Sequence, residues 1–135
     1  MALSSLITGL SHIGVRVHDL ERSRAFYEQL GFTFVAGPIG AEPVAILAHP
    51  CGVVINFILN ARQADAPNIL MDVAEKYPGY THIALAISDI STVQSELEKA
   101  GIALSGGPMT FPDGSNSLFI RDPDRNVIEF HQAPV

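Results

Sequence analysis

Two stretches decide how this chain is read: Leu10-Ser11-His12-Ile13 and Tyr80-Thr81-His82-Ile83. Each mixes apolar and polar residues as a β-strand does, and each leads into an acid and then a glycine. Asp19 and Gly31 follow the first, Asp89 and Gly101 the second, and every matched pair lies 70 positions apart (82 minus 12, 89 minus 19, 101 minus 31). Farther on, Pro50, Val54, Ile55 and Phe57 return as Pro123, Val127, Ile128 and Phe130, at an offset of 73 (130 minus 57). The change from 70 to 73 implies a loop three residues longer in the second copy. A repeat of this kind governs the whole architecture.

The acid in each copy suits a helix N-terminus, where its oxygens cap free N–H groups and its charge meets the positive end of the dipole. The glycine suits the left-handed turn that ends the helix. Between them, Leu20, Ala25, Phe26 and Leu30 in the first copy, and Val93, Leu97 and Ala100 in the second, recur at roughly helical spacing. Apolar stretches at about 32–36, 43–48 and 52–59 supply three further strands to the first module, and 102–105, 116–121 and 126–131 to the second. Gly106-Gly107-Pro108 and Pro112-Asp113-Gly114 read as turns. The expectation is an α+β protein of one domain over 1–135, with module one at about 8–59, a connection at 60–79 and module two at about 80–133. Two βαβββ units of this size most economically form one pseudo-twofold body with a shared central site.

Composition narrows the function. With 135 residues, 47% of them hydrophobic, the chain can bury a core without disulfides, and the lone Cys51 has no intrachain partner. That fits a reducing compartment. A net charge of −6, with 8 Lys and Arg spread along the chain, offers no basic stripe for nucleic acid. No apolar run reaches the roughly 20 residues that span a bilayer. Met1-Ala2-Leu3-Ser4-Ser5 lacks the basic start of a secretion signal. A cytoplasmic protein acting on a small molecule, away from membranes and nucleic acid, is expected.

Strand alternation puts Ile13, Val15 and Val17 on one face and His12, Gly14 and Arg16 on the other; likewise Ile83, Leu85 and Ile87 oppose His82, Ala84 and Ala86. Both histidines thus face away from the aliphatic core, beside residues small enough to leave open space. Glu129 interrupts the last apolar strand, and a carboxylate there needs a partner or a cation. A single strand histidine is more often a satisfied structural residue than a ligand, and Glu129 alone could pair with Arg16 or Arg121. The symmetric placement of His12 and His82 favours the sharper reading. Two imidazoles and a carboxylate form a 2-His-1-carboxylate set that leaves positions open on Fe(II), Mn(II), Zn(II), Ni(II) or Co(II). Asn56 is the module-one counterpart of Glu129, a weak neutral ligand better suited to substrate or water. His18, His49 and His131 have no histidine partner in the repeat and read as surface or loop residues.

These residues together resemble the vicinal oxygen chelate superfamily, which includes glyoxalase I, methylmalonyl-CoA epimerase, fosfomycin-resistance proteins, extradiol dioxygenases and bleomycin-binding proteins. The resemblance runs from His12-Ile13 through Asp19-Leu20-Glu21-Arg22-Ser23, Phe26-Tyr27 and Leu30-Gly31-Phe32, then through Thr81-His82-Ile83-Ala84, to Asp122-Pro123-Asp124 and Val127-Ile128-Glu129-Phe130. It implies paired βαβββ modules in a half-open barrel, a homodimer, and one divalent metal held by His12, His82 and Glu129. In some members each site is built from both subunits. Asn56 stands where glyoxalase I carries a second metal-binding glutamate. Phe119 stands where extradiol dioxygenases typically carry a tyrosine, and Gly14 where fosfomycin-resistance enzymes carry a threonine. The implied activities, in order, are a lyase or isomerase with Glu129 as the catalytic base, an Fe(II) dioxygenase, and a non-enzymatic binder of a drug or metabolite.

Overall fold

The computed structural model describes residues 2–62 and 66–135. The chain divides into two compact units, Met1–Gln63 and Ala64–Val135. In the first, a one-turn helix α1 (Leu3–Leu6) precedes β1 (Ile13–Arg16), α2 (Leu20–Gln29), β2 (Thr33–Ile39), β3 (Val44–Ala48) and β4 (Val54–Ile58). The second holds β5 (His82–Ala86), α3 (Ile90–Lys99), β6 (Gly106–Thr110), β7 (Asn116–Arg121) and β8 (Val127–Gln132). Each is a βαβββ module with an open four-stranded sheet, ordered β1-β4-β3-β2 and β5-β8-β7-β6. In both, the first strand pairs parallel with the last and the remaining pairs are antiparallel.

The helices start and stop as their ends require. Asp19 accepts from the Arg22 N–H and Asp89 from the Ser91 N–H, which caps α2 and α3. Gly31 and Gly101 follow in the left-handed region, at φ +98° and +74°. The buried positions of α2 are Ser23 and Tyr27, whereas Ala25 is exposed. The inward stripe is thus 20, 23, 27 and 30. Tyr27 packs edge-on against Phe32 and Phe57, with centroids 5.8 and 5.1 Å away. Val17, Ala45, Leu47 and Ile55 complete that core. In the second module Leu97 of α3 is buried, as are Leu118, Ile120, Ile128 and Phe130 of the sheet.

One strand lies elsewhere than expected. The segment 102–105 is not a strand, and β6 begins at Gly106 and runs through the Gly-Gly-Pro stretch read above as a turn. The reason is close approach. A Cβ on Gly107, at φ +76°, would lie 2.7 Å from the Ser117 carbonyl oxygen, so the glycine lets β6 press onto β7 at an irregularity in the register. Gly37 does the same in module one, where a Cβ would meet the Val44 carbonyl oxygen at 2.5 Å. Gly37-Pro38 and Gly107-Pro108 are again 70 residues apart, and both peptide bonds are cis.

Within the second unit, the segment before β5 is fastened to the end of β7. Asp72 takes a two-pronged bond from Arg121 at 2.8 and 2.9 Å and a third from Arg125 Nε at 3.2 Å. The Arg121 bond holds the Asp72 carboxyl down to about 2 from an ordinary 3.8, against the opposing effect of burial and with help from Arg125. Arg121 therefore pairs with Asp72, and Arg16 bonds Asn60 and Glu42. The alternative partners considered for Glu129 are engaged with these groups.

Candidate metal centre

The repeat register holds at the residues that matter. Asn56 lies opposite Gly14 in the parallel pair β1–β4, and Glu129 lies opposite Ala84 in β5–β8. Each is thus across from the position two residues after its module's histidine. Ile55 and Phe57 are buried on the helix side of β4, as are Ile128 and Phe130 on β8, so alternation turns Asn56 and Glu129 to the other face. Gly14 and Ala84 leave that face uncrowded: a Cβ on Gly14 would meet only the Ile58 side chain, at 3.9 Å.

His12 immediately precedes β1, and its Nδ1 is 3.0 Å from Ser11 Oγ. His82 opens β5, and its Nδ1 is 2.8 Å from Thr81 Oγ1. In both modules the hydroxyl of the preceding residue holds Nδ1 and leaves Nε2 for another partner. For His82 that partner is Glu129, which accepts from Nε2–H at 2.9 Å. The Phe119 ring stands edge-on to the His82 ring at 6.1 Å.

Glu129 has two more neighbours. Ser117, fully buried on β7, donates to its Oε2 at 2.6 Å, and His131 Nδ1 lies 3.3 Å from the same oxygen. Burial pushes the Glu129 carboxyl up, but the Ser117 and His82 hydrogen bonds and the two imidazoles outweigh it, so the group sits below the ordinary carboxylate range. It is ionised at neutral pH. His131, expected at the surface or in a loop, is a β8 residue two positions from Glu129 with a partly exposed side chain. His49 instead braces a turn between the Leu30 carbonyl and the Cys51 N–H.

A family model described as the Glyoxalase/Bleomycin resistance protein/Dioxygenase superfamily matches residues 9–130. The chain belongs to this superfamily. Among similar proteins is a Vibrio cholerae protein named "Probable lactoylglutathione lyase", 30% identical over 129 residues that span 90% of this chain and 88% of that one. The solved structure of virulence protein STM3117 from Salmonella typhimurium is 29% identical, covers 94% of this chain and 98% of its own, and superposes with a TM-score of 0.67. A glyoxalase/dioxygenase from Nostoc punctiforme shares the fold, with a TM-score of 0.69 at 22% identity over 92% of this chain and 90% of that one.

Some members of the superfamily bind a divalent metal, and the donors present here bear on whether this chain could. Among the described residues, no group of three or more His, Cys, Asp or Glu side chains is gathered that could hold a metal ion. What module two does gather is a pair. Imidazole nitrogens and carboxylate oxygens are both donors that such metals accept. His82 Nε2 and Glu129 Oε1 are such a pair, held 2.9 Å apart by a hydrogen bond. With Nδ1 held by Thr81 and Oε2 by Ser117, both side chains carry outer hydrogen bonds of the kind that metal-binding groups use. His82 and Glu129 fit the group; His12 and Asn56 belong to module one.

Proposed function

We propose that the protein is a divalent-metal-dependent enzyme, a glyoxalase-like lyase or isomerase acting on a small substrate with adjacent oxygens. His12, His82 and Glu129 are its ligands, and Asn56 binds substrate. The observation that carries this reading is the His82–Glu129 pair at 2.9 Å, with each group's second atom anchored by a hydroxyl. The protein is proposed to act as a homodimer. The exposed Leu10 and Tyr80 beside the two histidines are apolar surface that a second copy would cover. Fe, Mn, Ni, Co and Zn all suit such ligands. A cytoplasmic setting belongs to the same proposal.

A bound divalent metal would polarise the substrate oxygens and acidify the neighbouring C–H. The chain's own residues do the rest. In the ring's neutral form, the Nε2–H that points at Glu129 must leave before Nε2 can ligate, and Nδ1 must then carry the proton. Thr81 permits this exchange because a hydroxyl can donate to Nδ1 in one state and accept from it in the other. Glu129, kept ionised, is the base that takes the substrate proton.

A second reading is favoured by one residue. Asn56 in place of a second carboxylate leaves only three strong donors, the number an Fe(II) dioxygenase uses.

The test is elemental analysis of protein purified without chelators or a metal-binding tag, alongside His82→Ala and Glu129→Gln. Near-stoichiometric metal in the wild type, lost in His82→Ala, is expected. Lactoylglutathione, named for the Vibrio relative, is the first compound to assay. Turnover of a substrate by Glu129→Gln would reject its role as base. A wild type that neither carries metal nor takes it up would reject the ligand set and leave the non-enzymatic binder.

A further inference from the structure

The contact between Ser117 and Glu129 belongs to a directed chain of hydrogen bonds that continues to His131. A carboxylate can only accept, so the single Ser117 proton is donated to Glu129 Oε2 at 2.6 Å. Ser117 Oγ is also 2.8 Å from His131 Nδ1. Its proton is already committed, so the ring must carry a hydrogen on Nδ1 and donate it to the serine oxygen. The order is therefore His131 to Ser117 to Glu129. Strand register builds it: Glu129 and His131 share one face of β8 at positions i and i+2, and Ser117 on β7 lies directly opposite His131.

Module one serves as an internal comparison. At the 73-residue offset, Ser117, Glu129 and His131 correspond to Val44, Asn56 and Ile58, and Val44 pairs with Ile58 as Ser117 pairs with His131. Where the carboxylate is absent, the two supporting side chains are apolar. A fully buried serine merely filling space in the sheet would not need to differ from the valine in this way.

We infer that Ser117 and His131 are positioning residues that hold Glu129 Oε2 and so present Oε1 as a single-oxygen ligand. This rests on the metal reading above. The carboxylate is one rotation about its last bond away from offering either oxygen, or both, to a cation. A short bond from a buried hydroxyl, itself oriented by His131, selects one.

Mn(II), Zn(II) and Co(II) titrations of the full-length protein test the inference, with the Co(II) visible spectrum as a second readout and circular dichroism as the check on folding. Ser117→Ala should weaken metal binding by about 10- to 100-fold. It should also change the Co(II) spectrum, because the freed carboxylate can bind through both oxygens. His131→Leu should act in the same direction. His131→Asn, whose amide can donate from near the Nδ1 position, should restore most of the affinity. If His82→Ala abolishes binding while Ser117→Ala and His131→Leu stay within twofold of wild type with unchanged spectra, the positioning role is wrong and the ligand assignment stands. If Asn and Leu at position 131 weaken binding equally, the directed chain is wrong. Should Ser117→Ala fail to fold, the position-131 pair decides. A wild type that binds none of the three ions overturns both readings.

Discussion

Replacing Asp72 by Asn tests the contact that fastens the connecting segment to β7. The side chain keeps its shape and one acceptor oxygen but loses the charge that faces two guanidinium groups. A carboxyl held at about 2 against an ordinary 3.8 corresponds to at most about 2.4 kcal/mol, at roughly 1.36 kcal/mol per tenfold change in proton affinity. Arg125 is half exposed, and Asp72 itself is partly open to solvent, so screening reduces this to about 1 kcal/mol. The Arg121 pair is better shielded and bidentate, and the Arg121 Nε is buried without a hydrogen-bond partner. Loss of Asp72 leaves that guanidinium with the Arg125 carbonyl and whatever Asn can offer, which sets the lower bound above zero. The pH dependence has a definite sign. The folded-state pKa is depressed, so the stabilisation is complete above the unfolded value near 3.8 and is lost as pH falls toward about 2. Urea unfolding followed by circular dichroism should therefore show Asp72→Asn less stable by about 1 kcal/mol at neutral pH, and should show wild type and variant converging near pH 2. A salt titration at neutral pH should narrow the gap. An equal difference at both pH values, or none at neutral pH, would refute the electrostatic account.

Other substitutions probe the features that hold the sheet and the site. Gly107→Ala should cost about 2–4 kcal/mol, because its Cβ would collide with the Ser117 carbonyl in addition to the left-handed penalty; Gly101→Ala, with nothing near its Cβ, should cost only about 1. Equal thermal melts for the two would contradict the close-approach reading. Asp122 is buried, and its carboxylate accepts from the Asp124 and Asn126 N–H groups and the Asn126 amide, so Asp122→Ala should lose about 2–4 kcal/mol in urea. Thr81→Val should weaken metal uptake roughly tenfold while Thr81→Ser leaves it near wild type, as read by competition with a chelating dye. Equal affinities would mean that Nδ1 needs no hydroxyl.

Much of the fold was legible because the repeat carries information twice. A single Asp-to-Gly interval is weak evidence for a helix, but two at one offset tie Asp19 and Asp89 to the same capping geometry, and the structure has both caps. Strand β7 matches its expected range, 116–121. Strand β6 was missed because Gly106-Gly107-Pro108 has the local chemistry of a turn, and only the tertiary approach of β7 gives those glycines a place in a sheet. A second Gly-Pro pair, 70 residues earlier, was the available signal. Glu129 stands out in the sequence because a lone carboxylate in an apolar strand demands a partner, and His82 and Ser117 are its partners. His131 is not legible for the opposite reason: recurrence marks only residues shared by both modules, and its counterpart is Ile58. Period-two alternation from Glu129 would have placed it on the same face.

His131 marks a division of labour between the two modules. What recurs in both is the scaffold: the capped helix, the parallel pairing of first and last strands, the Gly-Pro irregularity, and a hydroxyl on the Nδ1 of each histidine. What does not recur is the polar chain on β7 and β8. A backbone that places Asn56 and Glu129 in equivalent registers offers each the same neighbours by position, yet only the carboxylate has Ser117 and His131 where module one has Val44 and Ile58. An ionised group on a half-buried sheet face needs such support to hold one orientation, whereas a neutral amide can remain among apolar neighbours at lower cost. The asymmetry follows from the charge at a single position. Restoring a carboxylate at position 56 alone would therefore give a ligand without its supporting hydrogen bonds, and a working second carboxylate would require changes at 44 and 58 as well.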